Sequence, residues 1–185
     1  VKMTGDSTQA IYPSHTLATR YRYNTLNEVR WQNTPDGGTS EFWYDRLGRM
    51  AVSQNAKQKN EKIEAYSYTQ YDALGRIQEV GQLISNSKMK ASIAFDTTTL
   101  RRWITNNVKS EITRTWYDAT PFILNFEQHN LRGRVASMVY LDYNDSAYKH
   151  AVHYSYDIHG NVKTLYRENT ELHAFNQGFK QVTYD

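Results

Sequence analysis

Apolar and polar positions alternate with a period of two over short stretches, and a recurring polar break divides them. Tyr154-Ser155-Tyr156 places both rings on one side of an extended chain. Arg134-Val135-Ala136-Ser137-Met138-Val139-Tyr140 and Asn161-Val162-Lys163-Thr164-Leu165-Tyr166 read as strands that leave such a break. The break itself repeats. It is Tyr44-Asp45-Arg46-Leu47-Gly48-Arg49, then Tyr71-Asp72-Ala73-Leu74-Gly75-Arg76, then Tyr156-Asp157-Ile158-His159-Gly160-Asn161. Looser copies begin at Tyr21-Arg22-Tyr23-Asn24, which runs on to Asn27, and at Asn130, which runs on to Gly133. A last copy ends at Tyr184-Asp185.

Each break has the chemistry of a hairpin turn. The Asp or Asn side chain accepts from the backbone two residues on. Gly, or Asn27 in its place, takes the left-handed position that closes a type I turn with a bulge. The predicted turns are 24–27, 45–48, 72–75, 130–133 and 157–160. Their starts, at Asn24, Asp45, Asp72, Asn130 and Asp157, are 21, 27, 58 and 27 residues apart. The long step holds Thr113-Arg114-Thr115-Trp116-Tyr117-Asp118, which meets Pro121 where Gly is expected and so reads as a degenerate copy. A repeat of this kind predicts an array of similar hairpins laid side by side in one sheet.

Between the phrases the pattern changes. Asn33-Thr34-Pro35-Asp36-Gly37-Gly38 is a second kind of turn. Residues 1–19 carry a weak strand pattern broken at Pro13. The polar stretch 53–62 and the segment Leu141–Ser146 read as exposed loops. Asp96 can cap a helix, and Leu100, Trp103 and Ile104 share one helical face, which predicts one short helix near 96–107.

Composition refines this picture. Leu, Ile, Val and Phe make up 36 of 185 residues, whereas Tyr reaches 15 and Trp 4. Aromatic rings with a polar handle therefore supply much of the burial. A mean hydropathy of −0.78 suits a sheet wet on at least one side. The absence of Cys excludes disulfides and thiolate metal sites. The net charge is only +3, and Lys and Arg are scattered, so the basic stripe that nucleic-acid binding needs is missing.

Candidate chemistry is sparse. His150 and His153 lie three apart and diverge on a strand, so they read as solvated rather than metal-binding. Asp142-x-Asn144-x-Ser146 begins like a calcium loop but has Ala147 and His153 where Gly and Glu are needed. No nucleophile elbow, phosphate loop or zinc-protease motif occurs. Asp45, Asp72, Asp118 and Asp157 recur once per unit, which assigns them to turns rather than to catalysis. Arg49, Arg76, Arg134 and Asn161 are placed to brace neighbouring hairpins. No cofactor, no metal and no enzymatic activity are expected of this segment.

The phrases Tyr44–Arg49, Tyr71–Arg76 and Tyr154–Asn161 resemble the Rhs/YD-repeat family, and longer stretches such as Tyr66–Asp72 and His129–Arg134 resemble its large secreted members from Bacteroidetes-like bacteria. The resemblance implies an all-β fold: antiparallel hairpins in a continuous sheet that spirals into a hollow cocoon. Residues 1–185 would be a slice of one such shell within a much larger protein. It implies neighbouring YD repeats as partners, an enclosed C-terminal toxin or effector passenger, surface or export partners, and a secreted or cell-surface location. In this reading Asn24, Asn27, Asp45, Gly48, Asp72, Gly75, Asn130, Gly133, Asp157 and Gly160 form the turns. Tyr21, Tyr23, Tyr44, Tyr71, Tyr117, Tyr154 and Tyr156 are the repeat aromatics. The family's self-cleaving core has no counterpart here, so no catalytic residue is carried over. The competing expectation is an adhesion or carbohydrate-binding β-module using Trp31, Trp43 or Trp116 as stacking platforms.

Overall fold

The computed structural model describes residues 17–143 and 147–184. Its strands are β1 (Arg20–Tyr23), β2 (Val29–Thr34), β3 (Gly38–Tyr44), β4 (Met50–Gln54), β5 (Ala65–Tyr71), β6 (Ile77–Ile84), β7 (Val108–Tyr117), β8 (Val135–Tyr143), β9 (His150–Tyr156), β10 (Val162–Asn169) and β11 (Phe179–Thr183). All eleven form one antiparallel sheet in which spatial order equals chain order. The sheet is open, with β1 and β11 at its edges. Because each strand pairs with its chain neighbours, the odd-to-even turns all fall at one end of the sheet. Those are the turns of the repeated phrase.

The opposite end carries varied connections. Thr34–Gly38 is a tight turn in which the Thr34 hydroxyl accepts from Gly37 N–H at 3.0 Å. The stretch read as a loop over 53–62 instead continues β4 through Gln54 and then forms α1 (Ala56–Lys59). Its cause is a capping box: Asn55 Oδ1 accepts from Gln58 N–H, and Gln58 Oε1 accepts from Asn55 N–H. Gln58 is buried because its amide also donates to Ser67 Oγ at 2.9 Å. The segment from Leu141 is likewise strand as far as Tyr143, not loop. Residues 1–16, Asn144–Ser146 of the calcium-like spacing and the final Asp185 lie outside the described residues.

The helix expected near 96–107 is α3 (Thr97–Thr105), capped by Asp96 Oδ1 accepting from Thr99 N–H at 2.7 Å. Among the described residues it has three short companions: α1, α2 (Ala91–Phe95) and a 3₁₀ turn at Thr170–Phe175. Helices α2 and α3 cover one face of the sheet. Ala94, Trp103 and Ile104 pack there with Val52, Tyr66, Tyr68 and Leu83. Trp103 meets the Tyr66 ring edge-on at 5.3 Å and donates its indole N–H to Ser87 Oγ at 3.0 Å. Burying a side chain of this size is worth on the order of 2–3 kcal/mol, so two such residues hold the helix down.

A second apolar cluster, Ile112, Val139, Leu141 and Ala151, lies on the same face farther along. Phe122, from the segment after β7, covers it. Between the clusters sits a buried charge group. Glu79 accepts from Lys109 Nζ (2.8 Å), Arg114 Nε (2.6 Å) and Tyr68 Oη (2.8 Å). On the other face Gln58 of α1 packs against Ser67, which alternates with Tyr66 and Tyr68. Thr69, Val80, Thr113 and Tyr140 follow one another across it in register, half-buried by their neighbours alone. Along β9 this gives strict alternation of buried and half-buried positions between Ala151 and Tyr156.

Candidate functional site

The turn end of the sheet is built by one device used repeatedly. Asp45 Oδ1 accepts from Leu47 N–H and Arg49 N–H at 2.9 and 3.0 Å, which folds the turn. Its Oδ2 takes the Arg49 guanidinium at 2.6 Å. Asp72 does the same with Leu74, Arg76 N–H and the Arg76 side chain. Asp157 does it with His159 and Asn161, whose amide replaces the guanidinium. The first turn reverses the polarity. Asn24 Oδ1 accepts from Leu26 and Glu28 N–H, and Asn24 Nδ2 donates to the Glu28 carboxylate at 2.6 Å. Gly48, Gly75 and Gly160 hold the left-handed position, and Asn27 holds it at φ 62°.

Burial alone would raise the Asp72 carboxyl, but the backbone and side chain of Arg76 and the Leu74 N–H outweigh it, so its pKa is lowered. The Asn161 side chain lowers that of Asp157. These shifts belong to hydrogen-bonded turn carboxylates kept ionised. A general acid at neutral pH would need the reverse.

The fourth turn is split. Asp118 N–H donates to Arg134 C=O at 3.0 Å, and Asp118 Oδ1 accepts from Gly133 N–H at 2.6 Å. Tyr117 pairs with Val135 just as Tyr44 pairs with Met50 and Tyr71 with Ile77. Tyr117-Asp118 and Gly133-Arg134 are therefore two halves of one phrase, separated by a strap over residues 119–132. This corrects one expectation: Asn130 is not a turn start. The copy at Asp118 is degenerate as expected, since Asp118 has φ 66° and its carboxylate takes Gly133 N–H and Arg76 rather than the Arg134 side chain. Asn130 mimics the phrase by its distance from Gly133, yet its amide donates to Tyr156 C=O.

Successive hairpins are joined by a clasp. Tyr44 Oη donates to Val29 C=O, Tyr71 to Met50, Tyr117 to Ile77 and Tyr156 to Val135, all at 2.8–2.9 Å. In each case the acceptor is the first residue of the strand leaving the preceding turn. The preceding Arg lies over the same ring: Arg49 over Tyr71 at 4.3 Å, Arg76 over Tyr117 at 4.2 Å and Arg134 over Tyr156 at 5.6 Å. Arg76 also reaches Asp118 of the next hairpin at 2.9 Å. Tyr23 stands in the corresponding place on edge strand β1, facing Val29. Tyr21 and Tyr154 are not clasp residues: Tyr21 sits 6.5 Å from Tyr23 and Tyr154 stacks on Tyr156 at 6.2 Å.

The clasp stands where the ladder stops. Strands β2 and β3 pair only from Trp31–Glu41 away from the turn end. Strands β4 and β5 pair only at Val52–Tyr68 and Ser53–Ser67. Strands β8 and β9 pair from Ser137–His153 onward. Hairpins thus part near their turns, and a tyrosine hydroxyl replaces the missing backbone donor. At β8 and β9 the strap also enters the gap. Gln128 Nε2 bridges Ala136 C=O and Tyr154 C=O at 2.7 and 2.8 Å. His129 N–H donates to Ser155 Oγ, and Tyr156 N–H donates to His129 C=O.

The remaining candidates resolve plainly. His150 is exposed, whereas His153 is fully buried, which corrects its reading as solvated. The ring lies beneath Phe122 at 5.5 Å, with Nδ1 on Ser137 Oγ at 2.7 Å. Burial lowers its pKa, and Glu168 opposes this in part. No group of three or more metal-ligating side chains occurs among the described residues. The tryptophans offered as platforms are half-buried. Arg22 lies over Trp31, Trp43 packs on Tyr66, and Phe122 packs on Trp116. No described helix is long and apolar enough to cross a membrane.

Gln128, Glu28 and Glu79 were not singled out by sequence reasoning. Glu28 carried a signal: positions four apart in each phrase form a donor–acceptor pair of either polarity. No protein-family model and no curated protein matches the chain.

Proposed function

We propose that this chain is wall material of an Rhs-type shell, a structural segment that encloses a C-terminal toxin or effector passenger outside the producing cell. The observation that carries this reading is the clasp. One and the same contact joins each hairpin to the next at four successive junctions. A device of that kind extends a sheet without limit and gives no single hairpin a privileged chemistry. The face away from α2 and α3 suits a lining. Its threonines, serines and tyrosines touch a polypeptide without presenting a large dry patch that would grip it.

The parted junctions support a reading in which the strip curves into a spiral. Hairpins that pair at one end and separate at the other form wedges, and wedges stacked in one sense curl a ribbon.

The test is limited proteolysis of a protein in which these repeats are joined to their passenger. Protease resistance of repeats and passenger together, lost for the passenger when the wall is opened by Tyr71→Ala and Tyr117→Ala, supports encapsulation. A passenger cut at once in the intact protein refutes it.

A further inference from the structure

The strap at β8 and β9 occupies one of four equivalent gaps. Counted from the turns, Ala136 corresponds to Arg30, Ala51 and Gln78 on the strands that leave them. Tyr154 corresponds to Phe42, Thr69 and Thr115 on the strands that approach. Each of the other three pairs lines a cavity. Arg30 and Phe42 line one of about 470 Å³. Ala51 and Thr69 line one of about 360 Å³. Gln78 and Thr115 line one of about 150 Å³. The three cavities and the strap's seat are therefore the same site, repeated at successive junctions.

We infer that the junctions between β2 and β3 and between β4 and β5 are binding slots for an extended polypeptide bearing a glutamine. The occupant's chemistry is written in this chain. In the filled gap a glutamine amide supplies two N–H groups to two diverging carbonyls, and the next residue's backbone exchanges hydrogen bonds with the approaching strand. A carboxylate there would face carbonyl oxygens and be repelled, and a leucine would leave them unsatisfied. Main-chain contacts give such a slot tolerance of sequence, and the amide gives it a preference. The third gap is too small to take more than a single side chain. The inference rests on the proposed wall role, since a passenger held in extended form is the polypeptide that would meet these slots.

The probe is a synthetic peptide with the sequence of residues 126–131, Phe-Glu-Gln-His-Asn-Leu, added to the full chain. In the filled gap the Tyr156 amide donates to the strap; Tyr44 and Tyr71 hold the corresponding amides. Peptide at ten times its Kd slows hydrogen exchange at those two amides about tenfold, and replacing its Gln by Leu abolishes the protection. Equal protection by both peptides, or none at either amide up to the solubility limit, overturns the inference. A second arm uses the Gln128→Leu chain, in which exchange at Tyr156 accelerates and the wild-type peptide slows it again; failure of that rescue also counts against the slot. Neither result touches encapsulation, which the proteolysis of the passenger-bearing protein decides separately.

Discussion

The hydroxyl of Tyr71 donates to the carbonyl of Met50 at 2.9 Å, across a junction whose backbone ladder has already ended at Val52 and Tyr68. A side chain there does the work of a missing peptide N–H. The same substitution recurs wherever two hairpins meet, so the sheet is one body although its strands part near the turns.

Removing that hydroxyl alone isolates its contribution. Tyr71→Phe should cost about 1 kcal/mol, seen as a lower urea midpoint with an unchanged m-value. Tyr44 and Tyr117 lie four strands apart, about 19 Å at ordinary strand spacing. Their Phe substitutions should therefore add.

Left-handed backbone, rather than space, fixes Gly75. A Cβ there meets nothing closer than Arg49 Nη1 at 3.5 Å, but φ is +82°. Gly75→Ala should cost about 1–2 kcal/mol. Gly75→Asn should cost less, because Asn27 already occupies the equivalent position. Denaturation curves of the two variants decide this.

The charge group between the apolar clusters should respond to both mutation and acid. Glu79→Leu leaves buried Lys109 facing a hydrocarbon and should cost about 3–5 kcal/mol. Burial alone would raise the Glu79 pKa, but hydrogen bonds from Lys109, Arg114 and Tyr68 hold it below 4.5. Its stabilisation is thus complete above 4.5 and is lost as pH falls through the lower folded value. Glu79→Leu should flatten that part of the stability–pH curve.

His153 acts at higher pH. Its folded pKa lies below 6.5, so the unfolded chain binds the proton first. Stability should fall as pH drops from 6.5 toward the folded value, by loosening the strap over the ring. In the wild type, an NMR titration of His153 should give a midpoint below 6.5. His153→Phe should lose less stability over that interval.

Much of this was readable in the chain. The turns Asp45–Gly48, Asp72–Gly75 and Asp157–Gly160 were legible because each phrase contains its own partners, two to four residues apart. The cap on α3 was legible for the same reason. The split turn was not, because Asp118 and Gly133 meet only once the strap has folded over β8 and β9, and Asn130 copies the spacing by chance. Alternation separated His150 from His153, but the choice of buried face depends on Phe122, a residue remote in sequence. Asn55-x-x-Gln58 is a visible capping box, hidden by the polarity of residues 53–62 until Ser67 buries Gln58. The clasp was half legible. The Arg and Tyr recur in the sequence, whereas the gap they close is a property of the sheet.

The most direct test is a double-mutant cycle across one junction, with Arg49→Met, Tyr71→Leu and the pair compared by urea unfolding. The Arg49 guanidinium lies 4.3 Å from the Tyr71 ring centre, and the clasp predicts a coupling of about 0.5–1 kcal/mol. Strict additivity of the two single changes would mean that neighbouring hairpins are not joined at this contact, and would contradict the account.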